Sequence, residues 1–403
     1  MSDFYDSLET RNPEQRQKAL LELIGRQLEH ASQKAVAYQA LSTNIASFTN
    51  LPLTRKSALL ELQKTEPPFG GFVALSSARL TNIFASPGPI YEPGSDRIDF
   101  WRFARTLYAA GIRPGDVIHN CFSYHFTPAG AMVESGARAL GCPVIPAGVG
   151  QTELQVQTIA DLKPDAYVGT PSFLKIILDK ADELNADISS IKKALVGGEA
   201  LPPSVRASFV ERGIRAQQVY ATADLGVIAY ESSAQEGLII DEGVYLEIVR
   251  PGTGEPLADG EVGEVVVTSL NPDYPLIRFA TGDLSAIMPG SSPCGRSNKR
   301  IKGWMGRADQ TAKVRGMFIH PEQVDKVVKR HPEIIRARLI IDWIDEADQI
   351  KLQCETGDAD PSLSAAIGES IRSICKLRGE VEFVGEAALP NDGKVIDDIR
   401  KYD

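Results

Sequence analysis

Nowhere does the sequence hold an apolar run near the roughly 18–20 residues that cross a bilayer, which excludes a helical membrane span. Its first residues, Met1-Ser2-Asp3-Phe4-Tyr5-Asp6, lack the basic and apolar stretches of a secretory leader. Cysteine is scarce: Cys121, Cys142, Cys294, Cys354 and Cys375 are scattered without paired spacing. That argues against a disulfide framework or a structural zinc site and fits reduced, cytoplasmic thiols. Positive charge is in deficit, with 43 basic against 53 acidic residues, and the net charge of -10 argues against general nucleic-acid binding. There is no internal repeat and no low-complexity tract. With 403 residues, 43% of them hydrophobic, the chain is expected to be a soluble globular protein of two or three domains with a large core.

What is present reads mostly as strand alternating with helix. Residues 13–35 carry Ala19, Leu20, Leu23, Ile24 and Leu28 at helical spacing. Leu53-Thr54-Arg55-Lys56 opens a loop and short helix. A helix over 98–111 stops at Gly111, a strand covers 117–120, and a helix of small residues starts at Ala129. A strand at 144–146 leads through Ala147-Gly148-Val149-Gly150 to Thr152 and Gln155, read as the capping box of the next helix. Further strands lie at 166–169, 194–196 and 217–219, the pattern of parallel βαβ units. Between 238 and 270 the text turns strand-rich, with turns at Pro251-Gly252 and Asp259-Gly260, as in a β-meander or small barrel. After Gly316 come a strand, a helix beyond His320-Pro321, paired strands at 337–342 and 349–354, a helix at 362–377 and a strand at 381–384. These form a small α+β domain.

Residues 276–316 hold the most chemistry. Leu276-Ile277-Arg278-Phe279-Ala280 reads as a buried strand ending in Thr281-Gly282-Asp283. This leaves the Asp283 carboxylate at a strand's carboxyl end, able to accept two hydrogen bonds from a vicinal diol such as a ribose. Arg307, after Gly306, offers a planar fork suited to phosphate, and Asp309 lies where one domain gives way to another. Together they point to a nucleotide site at a domain junction. Gly197-Gly198 after a strand lets backbone approach a flat ring, and serves equally as a plain strand-to-helix turn. His119, Cys121 and His125 share one segment that supplies no fourth ligand, so no metal site is expected there.

The order of aromatic-x-Thr-Gly-Asp and Gly-Arg-x-Asp resembles the adenylate-forming superfamily, and within it the phenylacetate–CoA ligase group. Gly169-Thr170-Pro171-Ser172-Phe173-Leu174, Cys294-Gly295-Arg296 and the C-terminal Leu389-Pro390-Asn391-Asp392-Gly393-Lys394 are similar to that group too. The resemblance implies an α/β fold: a large N-terminal AMP-binding domain (1–307) with parallel α/β sheets and a β-barrel-like subdomain, and a small mobile α+β C-terminal domain (308–403). It implies an acid–CoA ligase using ATP, magnesium and coenzyme A, passing through an acyl-adenylate and releasing AMP. Lys394 bridges carboxylate and α-phosphate, Arg307 meets phosphate, Asp283 holds the ribose, and Asp309 is the hinge. Gly197, Gly198, Glu199, Tyr220, Ala221 and Thr222 line the adenine. Asp224 stands where relatives have a magnesium-binding Glu.

Tyr124, His125 and Phe126 are candidate walls of the acyl pocket and thiol channel, with Gly148 beside them. Equally, the aromatics are core and His125 satisfies a buried partner. The phosphate loop falls at 84–90, where Ser86 and Gly88 are kept. Relatives carry a lysine there; this loop has none, and Pro87 and Pro89 remove two N–H donors. Arg97 or Arg102 is the candidate substitute. The expected partners are a small carboxylic acid, aryl or arylacetic, and coenzyme A, without nucleic acid or membrane; a homodimer is left open. An adenylating enzyme loading a carrier protein, or a nucleotide- or acyl-binding protein that no longer turns over ATP, remains as the alternative.

Overall fold

The computed structural model describes residues 3–400 except 87, 88, 309, 311, 315, 316, 345, 346 and 358. The chain forms two compact units. The first comprises Met1–Leu246, Val267–Phe279 and Ile287–Trp304; the second comprises Glu247–Val266, Ala280–Ala286 and Met305–Asp403.

The first unit is built on a nine-stranded sheet. Five strands run parallel, in the order Val144–Pro146, Ile118–Asn120, Ala166–Gly169, Lys193–Gly197, Arg215–Thr222. Four more continue antiparallel: Gly226–Glu231, Leu238–Ile240, Arg300–Ile301, Ile287–Met288. Ala166–Gly169 and Lys193–Gly197 are buried almost throughout, as parallel strands covered on both faces must be. Helices Ala129–Leu140, Thr152–Leu162, Pro171–Leu184 and Pro203–Glu211 connect the parallel strands. Val156, Ile159, Leu174, Ile177 and Phe209 pack into one core with Tyr167, Ala194 and Val196 of the sheet. The helix Pro13–Lys34 starts where the Asn12 side chain accepts from the N–H groups of Glu14 and Gln15, with proline at its first position.

In the second unit a four-stranded sheet runs Glu380–Val384, Ala347–Glu355, Arg336–Ile344, Ile396–Asp398. Helices Pro321–Lys329 and Pro361–Cys375 share its core through Val324, Val327, Ile367 and Ile371 against Leu339, Ile341, Ile350 and Leu352. The strand Ile396–Asp398, which pairs parallel with Arg336–Ile344, is absent from the sequence reading. Its three residues are too few to establish a period.

Three expectations are corrected. The helix expected over 98–111 is Phe103–Ala109, because Arg102 ahead of it is left-handed with φ 66°. Thr152 is the first helical residue rather than the cap, and no side chain caps that end. The Gln155 carboxamide turns inward instead. The strand expected at 276–280 runs Phe279–Ser285. Arg278 has φ 44°, and its buried guanidinium donates to the Leu51 carbonyl at 2.6 Å, so extended backbone begins only after it. Asp283 therefore lies inside the strand, not at its end.

Candidate active site

In the second unit Thr281-Gly282-Asp283 and Gly306-Arg307 fold against each other. Leu284 N–H donates to Gly306 O at 2.9 Å, and Ala308 N–H to Gly282 O at 2.7 Å, pinning the segment around Arg307 along the strand. Arg307 Nη1 then donates to Asp283 Oδ1 at 2.9 Å. Asp283 is 13% exposed and Arg307 55%, so the guanidinium holds the carboxylate on one side and keeps an open face. Diol acceptor and phosphate fork, read separately from sequence, form one pair. Gly282, with φ 76°, is what lets the arginine lie there.

Lys394 follows Gly393, another left-handed residue, packed on Val262 and Leu284. The ammonium donates to Asp397 Oδ1 at 2.7 Å and is about half exposed. Lys394 and Arg307 line one cavity of about 310 Å³, together with Leu284, Gln310 and Asp392. Two residues without a sequence signal hold this loop. Gln310 Nε2 donates to Gly393 O at 2.8 Å, and its Oε1 accepts from the N–H groups of Val395 and Ile396. Buried Arg338 donates to Pro390 O at 3.0 Å and to Asp392.

In the first unit Ser86 ends the strand Leu80–Ser86 of a hairpin whose return strand is Ile90–Ser95. Its N–H donates to Glu92 Oε2 at 3.3 Å and its hydroxyl to Glu92 Oε1. Glu92 is fully buried, and burial pushes its carboxyl up to about 7. Ser86 and Lys56 pull the other way, while Asp224 adds to the rise. Lys56 donates to Asp224 Oδ2 at 2.5 Å. Arg97 is engaged by Asp273 at 3.0 and 3.2 Å, and Arg102 by the carbonyls of Leu225 and Val227 and by Asp241, so both expected substitutes are committed elsewhere. Gly88 and Asp309 lie outside the described residues.

Tyr220, Ala221 and Thr222 end the strand Arg215–Thr222, and Asp224 sits in the turn to Gly226–Glu231, where Thr222 Oγ1 accepts from Leu225 N–H at 3.1 Å. The Asp224 side chain is buried, and its Oδ1 has no hydrogen-bond partner among the described residues. A hard carboxylate oxygen of this kind fits magnesium, which takes one or two protein carboxylates and completes its shell with water and phosphate. Among the described residues, no three His, Cys, Asp or Glu side chains converge into a protein-only metal cage.

Gly197 is paired inside its strand, where a methyl would meet Val219 at 2.8 Å. A methyl on Gly198, which has φ 81°, would meet among the described residues only Thr170 and Phe122, at 3.7 and 3.8 Å, so its face is open. Glu199 accepts from Ser172 N–H at 2.7 Å, at the N-terminus of Pro171–Leu184.

The acyl-wall candidates separate. Tyr124 turns its hydroxyl to Glu134 at 2.9 Å while accepting from Asn120, and its ring lies against Gly130 and 3.8 Å from a methyl placed on Gly148. His125 and Phe126 are exposed, their rings edge-on at 4.6 Å. Phe126 O accepts from Ala85 N–H at 2.9 Å, which ties their loop to the hairpin beside Ser86. His119 is buried, is lowered in pKa by that burial, and donates through Nε2 to Gln155 Oε1 at 2.5 Å.

The profile of the AMP-binding enzyme family matches residues 99–271. The phenylacetate-coenzyme A ligase of Escherichia coli strain K12 is 32% identical, covering 96% of this chain and 95% of its own. That of Aromatoleum evansii is 33% identical over 72% of this chain and 68% of its own. Among solved structures, an open form of 2-hydroxyisobutyryl-CoA ligase in complex with 2-HIB-AMP and CoA superposes with a TM-score of 0.73. It is 22% identical, covering 96% of this chain and 92% of that one, and shows the shared fold. With Thr281-Gly282-Asp283, Gly306-Arg307 and Gly393-Lys394 in place on that fold, the chain belongs to the phenylacetate–CoA ligase family of AMP-binding enzymes.

Proposed function

We propose that the protein is an ATP-dependent, AMP-forming acid–CoA ligase acting on an aryl or arylacetic acid. A carboxylate oxygen attacks the α-phosphorus of ATP and pyrophosphate leaves; the thiol of coenzyme A then displaces AMP from the acyl carbon. The observation that carries this reading is the cavity shared by Arg307 and Lys394, 87 residues apart in the chain yet facing one space. The cavity is also lined by Asp392, Asp397 and Asp398, and the two cations on it are the groups able to supply the charge stabilisation that a five-coordinate phosphorus requires.

In this reading Lys394 bridges carboxylate and α-phosphate, and Arg307 meets the phosphate. Asp283 takes the ribose while keeping Arg307 aligned. Gly197, Gly198, Glu199, Tyr220, Ala221 and Thr222 form the adenine side, and the segment of Ser86 and Gly88 marks the polyphosphate end. Asp224 would hold magnesium, which when bound neutralises phosphate charge. Tyr124, Phe126 and Gly148 border the acid, with His125 on the thiol path. Residues 308–403 act as the mobile domain, with Asp309 as hinge.

The test is AMP release from ATP, magnesium and coenzyme A across a panel of carboxylic acids, with acyl-CoA trapped as product. Phenylacetate and other aryl acids are expected to give AMP and thioester in equal amounts. No AMP with any acid, or AMP without acyl-CoA, overturns the proposal.

A further inference from the structure

The hairpin at Ser86 lies where a phosphate loop is expected, yet both Ser86 donors are already taken. An anion-binding loop works by presenting N–H and O–H groups to the anion. Here the Ser86 N–H and hydroxyl both end on the Glu92 carboxylate of the return strand. Glu92 is wholly shielded from solvent, and Ser86 is 8% exposed. The cation of this corner is Lys56, which is bound to Asp224. Beside them Tyr274 is buried with its hydroxyl unpartnered among the described residues. Among the described residues the corner thus holds two carboxylates to one ammonium, and the Ser86 and Lys56 donors already face an anion.

We infer that Glu92 is a specificity-determining residue: its carboxylate stands where a β- or γ-phosphate would otherwise take the Ser86 donors and the field of Lys56. The corner therefore favours a nucleoside monophosphate, or its mixed anhydride with the acid, over a triphosphate. This rests on the adenylate-forming reading above and adds to it which phosphates the chain grips. The geometry has a chemical logic. A carboxylate and a phosphate oxygen compete for the same donors, and two like charges close together in a desolvated corner repel. AMP reaches past this corner with nothing, so its binding rests on other residues.

Calorimetric titration with ATP and with AMP at pH 8.5, where Glu92 is ionised, both with magnesium, tests this on wild type, Glu92→Gln and Glu92→Asp, with thermal melting as the folding control. Gln keeps the shape and removes the charge; Asp keeps the charge and withdraws it by one methylene. Wild type is expected to bind ATP no more than about tenfold tighter than AMP. Glu92→Gln should strengthen ATP by about tenfold, the scale of one charge-assisted contact, and leave AMP within about twofold. Glu92→Asp should give a smaller gain of about threefold, and carries the test if the Gln variant melts early. Unchanged ATP affinity in a folded variant, or ATP and AMP shifting together, overturns the inference while the ligase reading stands. A wild type that binds neither nucleotide overturns both.

Discussion

A methyl group on Gly282 would lie 2.6 Å from Arg307 Nη2, so the arginine rests directly on the glycine that precedes its partner Asp283. Gly282 also has φ 76°, a conformation costing an L-residue about 1–2 kcal/mol. Gly282→Ala is therefore expected to push the guanidinium off Asp283. AMP affinity should fall by about tenfold or more, the worth of a charge-assisted contact, with a modest loss of stability. Titration with AMP alongside a melting curve checks it. Unaltered AMP affinity would show that the Asp283–Arg307 pair plays no part in nucleotide binding.

Lys394→Ala should depress acyl-adenylate formation by about 10²-fold or more, while conversion of preformed acyl-adenylate to thioester continues. Only the first step puts charge on oxygens between the acyl carbon and the phosphorus, a role worth a few kcal/mol. The ammonium leans on Asp397 at 2.7 Å but is half exposed, so it can turn to a ligand. Separate single-turnover assays of the two half-reactions decide the matter, and equal losses in both would count against the role.

Glu92 gives stability a pH dependence of definite sign. Burial raises its folded pKa from 4.5 to about 7, so between those values the folded protein holds a proton that the unfolded chain releases. The stability this confers is present below 4.5 and is lost as pH rises through about 7, by about 3 kcal/mol in all. Glu92→Gln cannot titrate, so its stability relative to wild type should climb between pH 5 and 8. Denaturant melts of both proteins across that range would show it, and parallel curves would place the proton elsewhere.

Gln155 and Thr152 should behave oppositely to a capping box. Gln155 Nε2 donates to the carbonyls of Gly148 and Gly150 at 3.1 and 3.2 Å, and its Oε1 accepts from His119. Gln155→Leu strands these buried groups and should cost about 2–4 kcal/mol. Thr152 caps nothing, so Thr152→Ala should stay within about 0.5 kcal/mol. Equilibrium unfolding of the two variants distinguishes a loop clamp from a helix cap.

The sequence by itself determined the family and the architecture. Strand and helix periods, and short motifs such as Thr281-Gly282-Asp283 and Gly393-Lys394, are local patterns, legible because neighbouring residues alone write them. It also showed that the loop near Ser86 lacks a lysine. What it did not show is where each polar group would find its partner. Lys56 meets Asp224 across 168 positions, and Gln310 meets Gly393 across 83. Glu92 gave no signal, since a glutamate near a turn is ordinarily a solvated one and only the packed hairpin buries it. The strand at Phe279–Ser285 went astray for a related reason: its apolar residues mark burial, while the left-handed Arg278 that delays its start is held by the Leu51 carbonyl. Periodicity decides which face of an element is buried. Which donors and acceptors are then left facing one another is set by long-range packing, because a buried polar group must be satisfied wherever the fold places it.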